Sequence, residues 1–135
     1  KISGLNFSFS GLKTGILYFI QKNTEENPNF ITEHLADICA SVQYTIVEIL
    51  MNKLKKAVKE TGIKQVAIGG GVSANSGIRN ALTALGKQYG WQTFVPKFQY
   101  CTDNAAMIGI VGYHKFLEGN FVAQEVTAQA RLSFN

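Results

Sequence analysis

The sequence predicts an α/β fold that is rich in helices and holds a small, mainly parallel sheet. Helical and β-rich segments alternate along the chain, an order typical of parallel strands joined by crossover helices. Only two β-rich runs are present, at residues 65–68 and 91–95, which is too few for a complete doubly wound domain. We therefore expect residues 1–135 to form a single piece of a larger lobe.

The first half of the chain predicts two helices. Residues 11–22 place apolar side chains on one side of a helix, and the polar stretch 23–29, which contains Pro28, is expected to end it. Apolar residues then recur every three or four positions from about 30 to 60, which predicts a long amphipathic helix. Gly62 follows that segment, as glycine commonly does at a helix C-terminus.

The second half alternates strands and helices. The two β-rich runs flank a predicted helix at residues 76–89. A last helix is expected at residues 103–117, with Thr102 or Asp103 as its N-cap. Both loops that follow the strands therefore lead into helix starts.

The composition fits a globular protein of the reducing cytoplasm. Hydrophobic residues make up 46% of the chain and charged residues 16%. The two cysteines, Cys39 and Cys101, form no C-x-x-C pattern, which argues against a zinc ribbon or a redox pair. The apolar helical pattern around Cys39 predicts a buried thiol. No apolar stretch is long enough to span a bilayer.

The net charge of +4 permits contact with nucleic acid without requiring it. Part of the excess lies in four lysines of the long helix: Lys53, Lys55, Lys56 and Lys59. Lysines near a helix C-terminus usually form a solvated face that complements the helix dipole, and we favour that interpretation over an RNA-binding patch.

A glycine-rich loop is the most informative local signal. Gly69, Gly70 and Gly71 separate the first strand from the helix at 76–89. Glycine lets a ligand approach the backbone closely, and a helix start offers free N–H groups, so the loop suits a nucleotide. The pattern is not the G-x-G-x-x-G fingerprint, and a tight strand-to-helix turn explains the glycines equally well. Asn75 can cap the helix or bind a ligand hydroxyl.

Asp103 lies in the corresponding position after the second strand. The carboxylate can cap a helix, bind a metal or position a cation on a phosphate, and a single carboxylate is a weak metal signal. Because the loop before Asn75 and the loop before Asp103 both follow strand C-termini, they occupy the edge where open α/β sheets bind ligands.

Three other residues carry weaker signals. Lys13 follows a segment that superficially resembles a P-loop, but Leu12 separates Gly11 from Lys13 and the G-x-x-x-x-G-K-[ST] pattern is not met. An exposed lysine on the first helical turn is the simpler interpretation. His34 and His114 form no H-x-x-x-H pair and are expected to be ordinary helix residues.

Four segments together resemble the TsaD-type tRNA N6-adenosine threonylcarbamoyltransferase family, formerly described as O-sialoglycoprotein endopeptidases or glycoproteases. Residues 7–14 resemble its F-S-F-S-G-L-K-T motif, and residues 37–43 resemble its D-I-A-A-S-[FV]-Q stretch, with a cysteine for the first alanine. Residues 70–75 resemble G-G-V-[AS]-A-N, with Arg79 where an arginine usually follows. Residues 101–108 resemble C-T-D-N-[GA]-A-M-I. The resemblance covers nearly the whole chain.

The resemblance implies an actin-like, ribonuclease H-like lobe of the kind found in sugar kinases and heat-shock ATPases, one of two lobes around a nucleotide cleft. It implies that Gly70, Gly71 and Asn75 lie against an ATP-type nucleotide or threonylcarbamoyl-adenylate. It also implies that Asp103 binds a divalent metal, usually iron, with zinc or magnesium as alternatives. The implied reaction moves the threonylcarbamoyl group from its adenylate to N6 of an adenosine beside the tRNA anticodon. Partner proteins of the same pathway are implied, and a homodimer is allowed.

The family also has an H-x-x-x-H motif in its N-terminal lobe, and that motif is absent here. We therefore expect the C-terminal portion of a two-lobe enzyme, inactive by itself, with no catalytic residue assigned and no role for Lys13. Three alternatives remain open: a metallopeptidase, a sugar or acyl kinase, and a non-catalytic interaction module. The metallopeptidase would need a motif such as H-E-x-x-H, which the chain lacks.

Overall fold

The computed structural model describes residues 4–127, which form four α-helices, two 3-10 turns and a two-stranded sheet. The α-helices are α1 (Ser10–Glu26), α2 (Phe30–Thr61), α3 (Ser76–Tyr89) and α4 (Ala105–Leu117). The strands are β1 (Gln65–Ala67) and β2 (Gln92–Phe94), and the 3-10 turns span Gly71–Ala74 and Phe98–Tyr100. Within this part of the chain, no helix is long and apolar enough to cross a membrane.

The sheet is parallel, as predicted. Its central register pairs Val66 with Thr93, and α3 connects the two strands. The hydrogen bond from the Ile68 amide to the Phe94 carbonyl, at 3.1 Å, continues the pairing beyond β1. Because the strands are parallel, both of their C-terminal ends lie at one edge, and the two candidate loops leave the sheet there.

The core lies between α2, α3 and the sheet. Its buried side chains are Met51, Val66, Ile78 and Leu82. Gly86 of α3 packs closely on β2, since a Cβ atom at this position would lie 2.6 Å from Thr93 Cγ2. The absence of a side chain at Gly86 therefore allows α3 to approach the sheet.

The first helix is longer than the sequence predicts. It continues through the polar residues, where the Asn23 and Thr24 side chains donate to the Phe19 and Ile20 carbonyls one turn back, at 2.7 and 2.8 Å. The helix ends when Asn27 becomes extended, with φ −139° and ψ 103°. The helical conformation is disfavoured directly before a proline, so Pro28 determines this boundary.

Two further predictions are wrong. The cap of α4 is Asn104 and neither Thr102 nor Asp103. The Asn104 Oδ1 accepts a hydrogen bond from the Met107 amide at 3.1 Å. The helix begins at Ala105, so only the side chain directly before it reaches that amide. Cys39 is exposed, because the core covers the C-terminal half of α2 and Cys39 lies in the other half. The buried thiol is Cys101.

Helix α4 carries apolar side chains on all sides, and many of them are exposed in the described part of the chain. Ile108 is 78% exposed and Phe116 is 65% exposed. A helix that is apolar all round is typical of the interior of a larger protein.

Candidate functional site

The glycine loop, residues 69–75, begins where β1 ends. Gly70 has φ 77° and ψ 175°, a backbone conformation that is essentially restricted to glycine. Gly71 has an ordinary φ, and a Cβ atom there would meet nothing within 4 Å among the described residues. Gly70 and Gly71 are both exposed. The loop thus presents exposed backbone at the edge of the sheet, and contact of Gly70 and Gly71 with a nucleotide stays a prediction.

A 3-10 turn connects the first glycines of the loop to α3, which begins at Ser76 as predicted. The turn spans Gly71–Ala74 and is held by Ser73, whose amide and hydroxyl both donate to the Gly70 carbonyl, at 2.9 and 2.6 Å. Ser73 is 2% exposed. Nothing in the sequence pattern singled out Ser73, because a serine inside a turn motif is common.

Asn75 caps α3 and also pairs with a residue of α2. Its Oδ1 accepts from the Ile78 amide at 3.1 Å and from Gln43 Nε2 at 2.8 Å. Its Nδ2 donates to Gln43 Oε1 at 3.0 Å. The capping role is therefore confirmed. Contact of Asn75 with a nucleotide stays a prediction.

Asp103 lies in the β2–α4 loop, residues 95–104, and its side chain is exposed. Since Asn104 is the cap of α4, Asp103 does not carry that structural role. Between residues 4 and 127, no three His, Cys, Asp or Glu side chains form a group that could hold a metal ion. These residues do not fit a complete metal centre, and Asp103 could supply one ligand only.

Arg79 joins the glycine loop to the β2–α4 loop. Its Nη1 donates to the Ser73 carbonyl at 2.8 Å, and its Nη2 donates to the Pro96 carbonyl at 2.7 Å. The sequence identified Arg79 only as part of a motif and did not predict these contacts. The two loops that carry Asn75 and Asp103 are therefore neighbours with a shared side chain between them.

A glycine loop, a capped helix start and an exposed carboxylate therefore lie at one edge of a parallel sheet. The sequence model of the tRNA N6-adenosine threonylcarbamoyltransferase family matches residues 1–110. The chain belongs to this family.

Relatives that carry the name tRNA N6-adenosine threonylcarbamoyltransferase match nearly the whole chain. The protein of Christiangramia forsetii is 64% identical over 134 residues, covering 99% of this chain and 39% of the relative. The protein of Cytophaga hutchinsonii is 53% identical, covering 96% of this chain and 38% of the relative. The protein of Riemerella anatipestifer is 51% identical, covering 100% of this chain and 40% of the relative. The chain thus spans about two fifths of the length of these threonylcarbamoyltransferases.

The other residues that the sequence singled out lie apart from the threonylcarbamoyltransferase motifs at the sheet edge. Lys13 is exposed on the first turn of α1, as expected. His34 lies at a kink of α2, with φ −118° and ψ 16°, and its ring is 5.0 Å from that of Phe30. His114 lies in the last turn of α4.

A mainly apolar groove of about 510 Å³ lies between α1 and α2 and includes His34. Neither the glycine loop nor Asp103 lines it. Gly70, Gly71 and Asp103 of the candidate site are instead exposed in the part of the chain that the structure describes.

Proposed function

We propose that the full-length protein containing this chain transfers a threonylcarbamoyl group from its adenylate to N6 of an adenosine beside the tRNA anticodon. The identity of 64% across 99% of the chain to a protein of that name carries this proposal. tRNA, threonylcarbamoyl-adenylate and the partner proteins of the pathway are accordingly the proposed ligands, and the cytoplasm is the proposed compartment.

The glycine loop supports a role in adenylate binding. Gly70 has a backbone conformation that other residues rarely adopt, and Gly71 offers no side chain to obstruct a ligand. Asn75 uses its Oδ1 and one Nδ2 hydrogen within the protein, which leaves the second Nδ2 hydrogen available for a ligand oxygen. The reaction needs a positioned amine and a stabilised oxyanion more than a strong base, and a rigid loop serves that positioning.

Asp103 is proposed as one ligand of a divalent metal in the full-length protein. Asp103 is exposed and does not cap α4, and both facts agree with this role. Other ligands would have to come from residues outside the described part. The older metallopeptidase hypothesis gains no support from residues 4–127, since they contain no cluster of potential ligands.

The surface of α4 supports an assignment to one lobe of a larger, actin-like fold. Its exposed apolar residues need a covering, and relatives contain about three fifths of their length outside the matched region. We therefore propose that this chain forms part of the C-terminal lobe and that catalysis requires the remainder of the protein.

The test is restoration of tRNA modification in a bacterium depleted of its own threonylcarbamoyltransferase. The gene for the full-length protein should restore threonylcarbamoyladenosine in hydrolysed tRNA, measured by mass spectrometry, and the 135-residue chain alone should not. Unmodified tRNA in cells that contain the folded full-length protein would contradict the proposal. Full restoration by the isolated chain would contradict the two-lobe assignment.

A further inference from the structure

The Arg79 side chain makes contacts outside its own helix, α3. It lies in the first turn of α3, and its side chain reaches the carbonyl oxygens of Ser73 and Pro96. Ser73 belongs to the glycine loop, and Pro96 belongs to the β2–α4 loop. One guanidinium group therefore holds two backbone segments that follow different strands.

The same side chain has two more partners, and both belong to the β2–α4 loop. The Phe98 ring lies under the guanidinium, with Cζ 4.2 Å from the ring centroid. Nη1 also lies 3.7 Å from Cys101 Sγ, and Cys101 is 2% exposed. The loop is thus held near its start, in its middle and just before Asp103.

Arg79 forms no ion pair with an acidic side chain of residues 4–127. Its hydrogen bonds go to neutral carbonyl oxygens and a thiol. Arginine is suited to this task because its donors lie in a rigid plane, so one group can bind two acceptors at a fixed separation. A lysine ammonium is a single point donor on a flexible stem and cannot reproduce that geometry.

We infer that Arg79 is a positioning residue that fixes the glycine loop, with Asn75, relative to the β2–α4 loop, with Asp103. The inference rests on the proposed function, since it assigns a catalytic consequence to the distance between these two loops. Arg79 acts through the loops and does not itself contact the adenylate. Loosening the connection should therefore misalign bound groups while leaving the contacts of each loop intact.

The experiment compares Arg79→Lys with the wild-type full-length protein, and Lys87→Ala is the control. Lys87 is an exposed cation in the last turn of the same helix, distant from both loops in sequence. The measurements are kcat, KM for the adenylate, the melting temperature, and backbone hydrogen exchange in peptides that cover residues 70–76 and 96–104.

For Arg79→Lys we expect kcat to fall about ten- to a hundredfold, since a misplacement of about 1 Å has an effect of that size. The KM for the adenylate should stay within about threefold, because the binding contacts of the ground state are retained. Hydrogen exchange should accelerate in both loops, and Lys87→Ala should match the wild type in every measurement.

Two results would overturn the inference. A wild-type kcat together with faster hydrogen exchange in both loops would show that the relative position of the loops does not affect the rate of the reaction. A raised KM with unchanged exchange would show that Arg79 binds the ligand directly. If Arg79→Lys unfolds, Phe98→Leu removes the exposed ring under the guanidinium and should give the same pattern at smaller amplitude. If the wild-type protein does not modify tRNA, the proposed function fails, whereas the exchange measurement still decides whether Arg79 fixes both loops.

Discussion

Gln43 and Asn75 form a reciprocal pair of amide hydrogen bonds between α2 and α3. Gln43 Nε2 donates to Asn75 Oδ1 at 2.8 Å, and Asn75 Nδ2 donates to Gln43 Oε1 at 3.0 Å. The pair leaves no room beside it, since a Cβ atom at Gly77 would collide with Gln43 Nε2. The end of the glycine loop is therefore fixed to α2 as well as to α3.

The first prediction concerns the energy of this pair. Gln43→Ala and Asn75→Ala should each destabilise the protein, but together they should cost less than the sum. Each single change leaves a half-buried amide without its partner, so we expect a coupling of about 0.5–3 kcal/mol. Denaturant unfolding of the full-length protein and the three variants measures it. As a control, the losses of stability in Gln43→Ala and Asn104→Ala should add in the double variant, because Asn104 caps a different helix. Additive losses for Gln43→Ala and Asn75→Ala would refute the pairing.

The second prediction separates capping from ligand binding at the start of α4. Asn104→Ala should lower the free energy of unfolding by about 1 kcal/mol, the usual effect of losing a cap. Asp103→Ser should change the stability little, because Asp103 makes no capping bond, yet it should abolish tRNA modification if its carboxylate binds a metal. Thermal unfolding and modification rates of the two full-length variants provide the comparison. Normal modification by Asp103→Ser would remove Asp103 from the site.

The third prediction uses the different backbone conformations of two adjacent glycines. Gly70→Ala should destabilise the protein by about 1–3 kcal/mol, because its φ of 77° with ψ 175° is strained for any residue with a Cβ atom. Gly71→Ala should fold normally, since its φ is ordinary and the space around it is open among the described residues.

In Gly71→Ala, however, the added methyl group would occupy the surface on which the adenylate is proposed to lie. We expect weakened adenylate binding with an unchanged melting temperature, measured by titration calorimetry and by thermal unfolding. Wild-type affinity in Gly71→Ala would mean that the glycines serve only the turn.

The fourth prediction tests the contact between α3 and the sheet. Gly86→Ala should cost about 1–3 kcal/mol, because its methyl group would overlap Thr93 Cγ2 where α3 packs on β2. Adding Thr93→Ser removes that methyl group and should restore part of the loss. Chemical unfolding of the single and double variants measures both effects. A double variant that is less stable than Gly86→Ala would contradict this account of the packing.

Much of the fold could be predicted because its signals are local. The periodicity of apolar residues predicted α2 and α3 to within a residue, and Gly62 ends α2 with φ 72° as expected. The order of the elements predicted the parallel sheet. The polar residues from Asn23 onward predict a helix end, but α1 continues to Glu26 and ends before Pro28, since the helical conformation is disfavoured directly before a proline.

The candidate site could likewise be predicted only in part. The motifs around Gly70 and Asp103 identified the family, which the comparisons confirm. The sequence predicts Thr102 or Asp103 as the cap of α4, but the cap is Asn104, because all three are good capping residues and only the position of the first helical turn chooses among them. The roles of Gly70, Gly71, Asn75 and Asp103 toward a ligand stay predictions.

The sequence by itself determined the presence and order of the helices and strands, the glycine loop and the family, since each depends on neighbouring residues or on a short motif. Only the tertiary structure decided which side chains hold the candidate site together. Gln43 meets Asn75 across 32 positions, and Arg79 meets Pro96 across 17. Burial was decided in the same way, because Cys101 is buried with its Sγ 3.7 Å from Arg79 Nη1, while Cys39 is exposed on α2. Such contacts depend on how the elements pack in space, and no local pattern of residues specifies them.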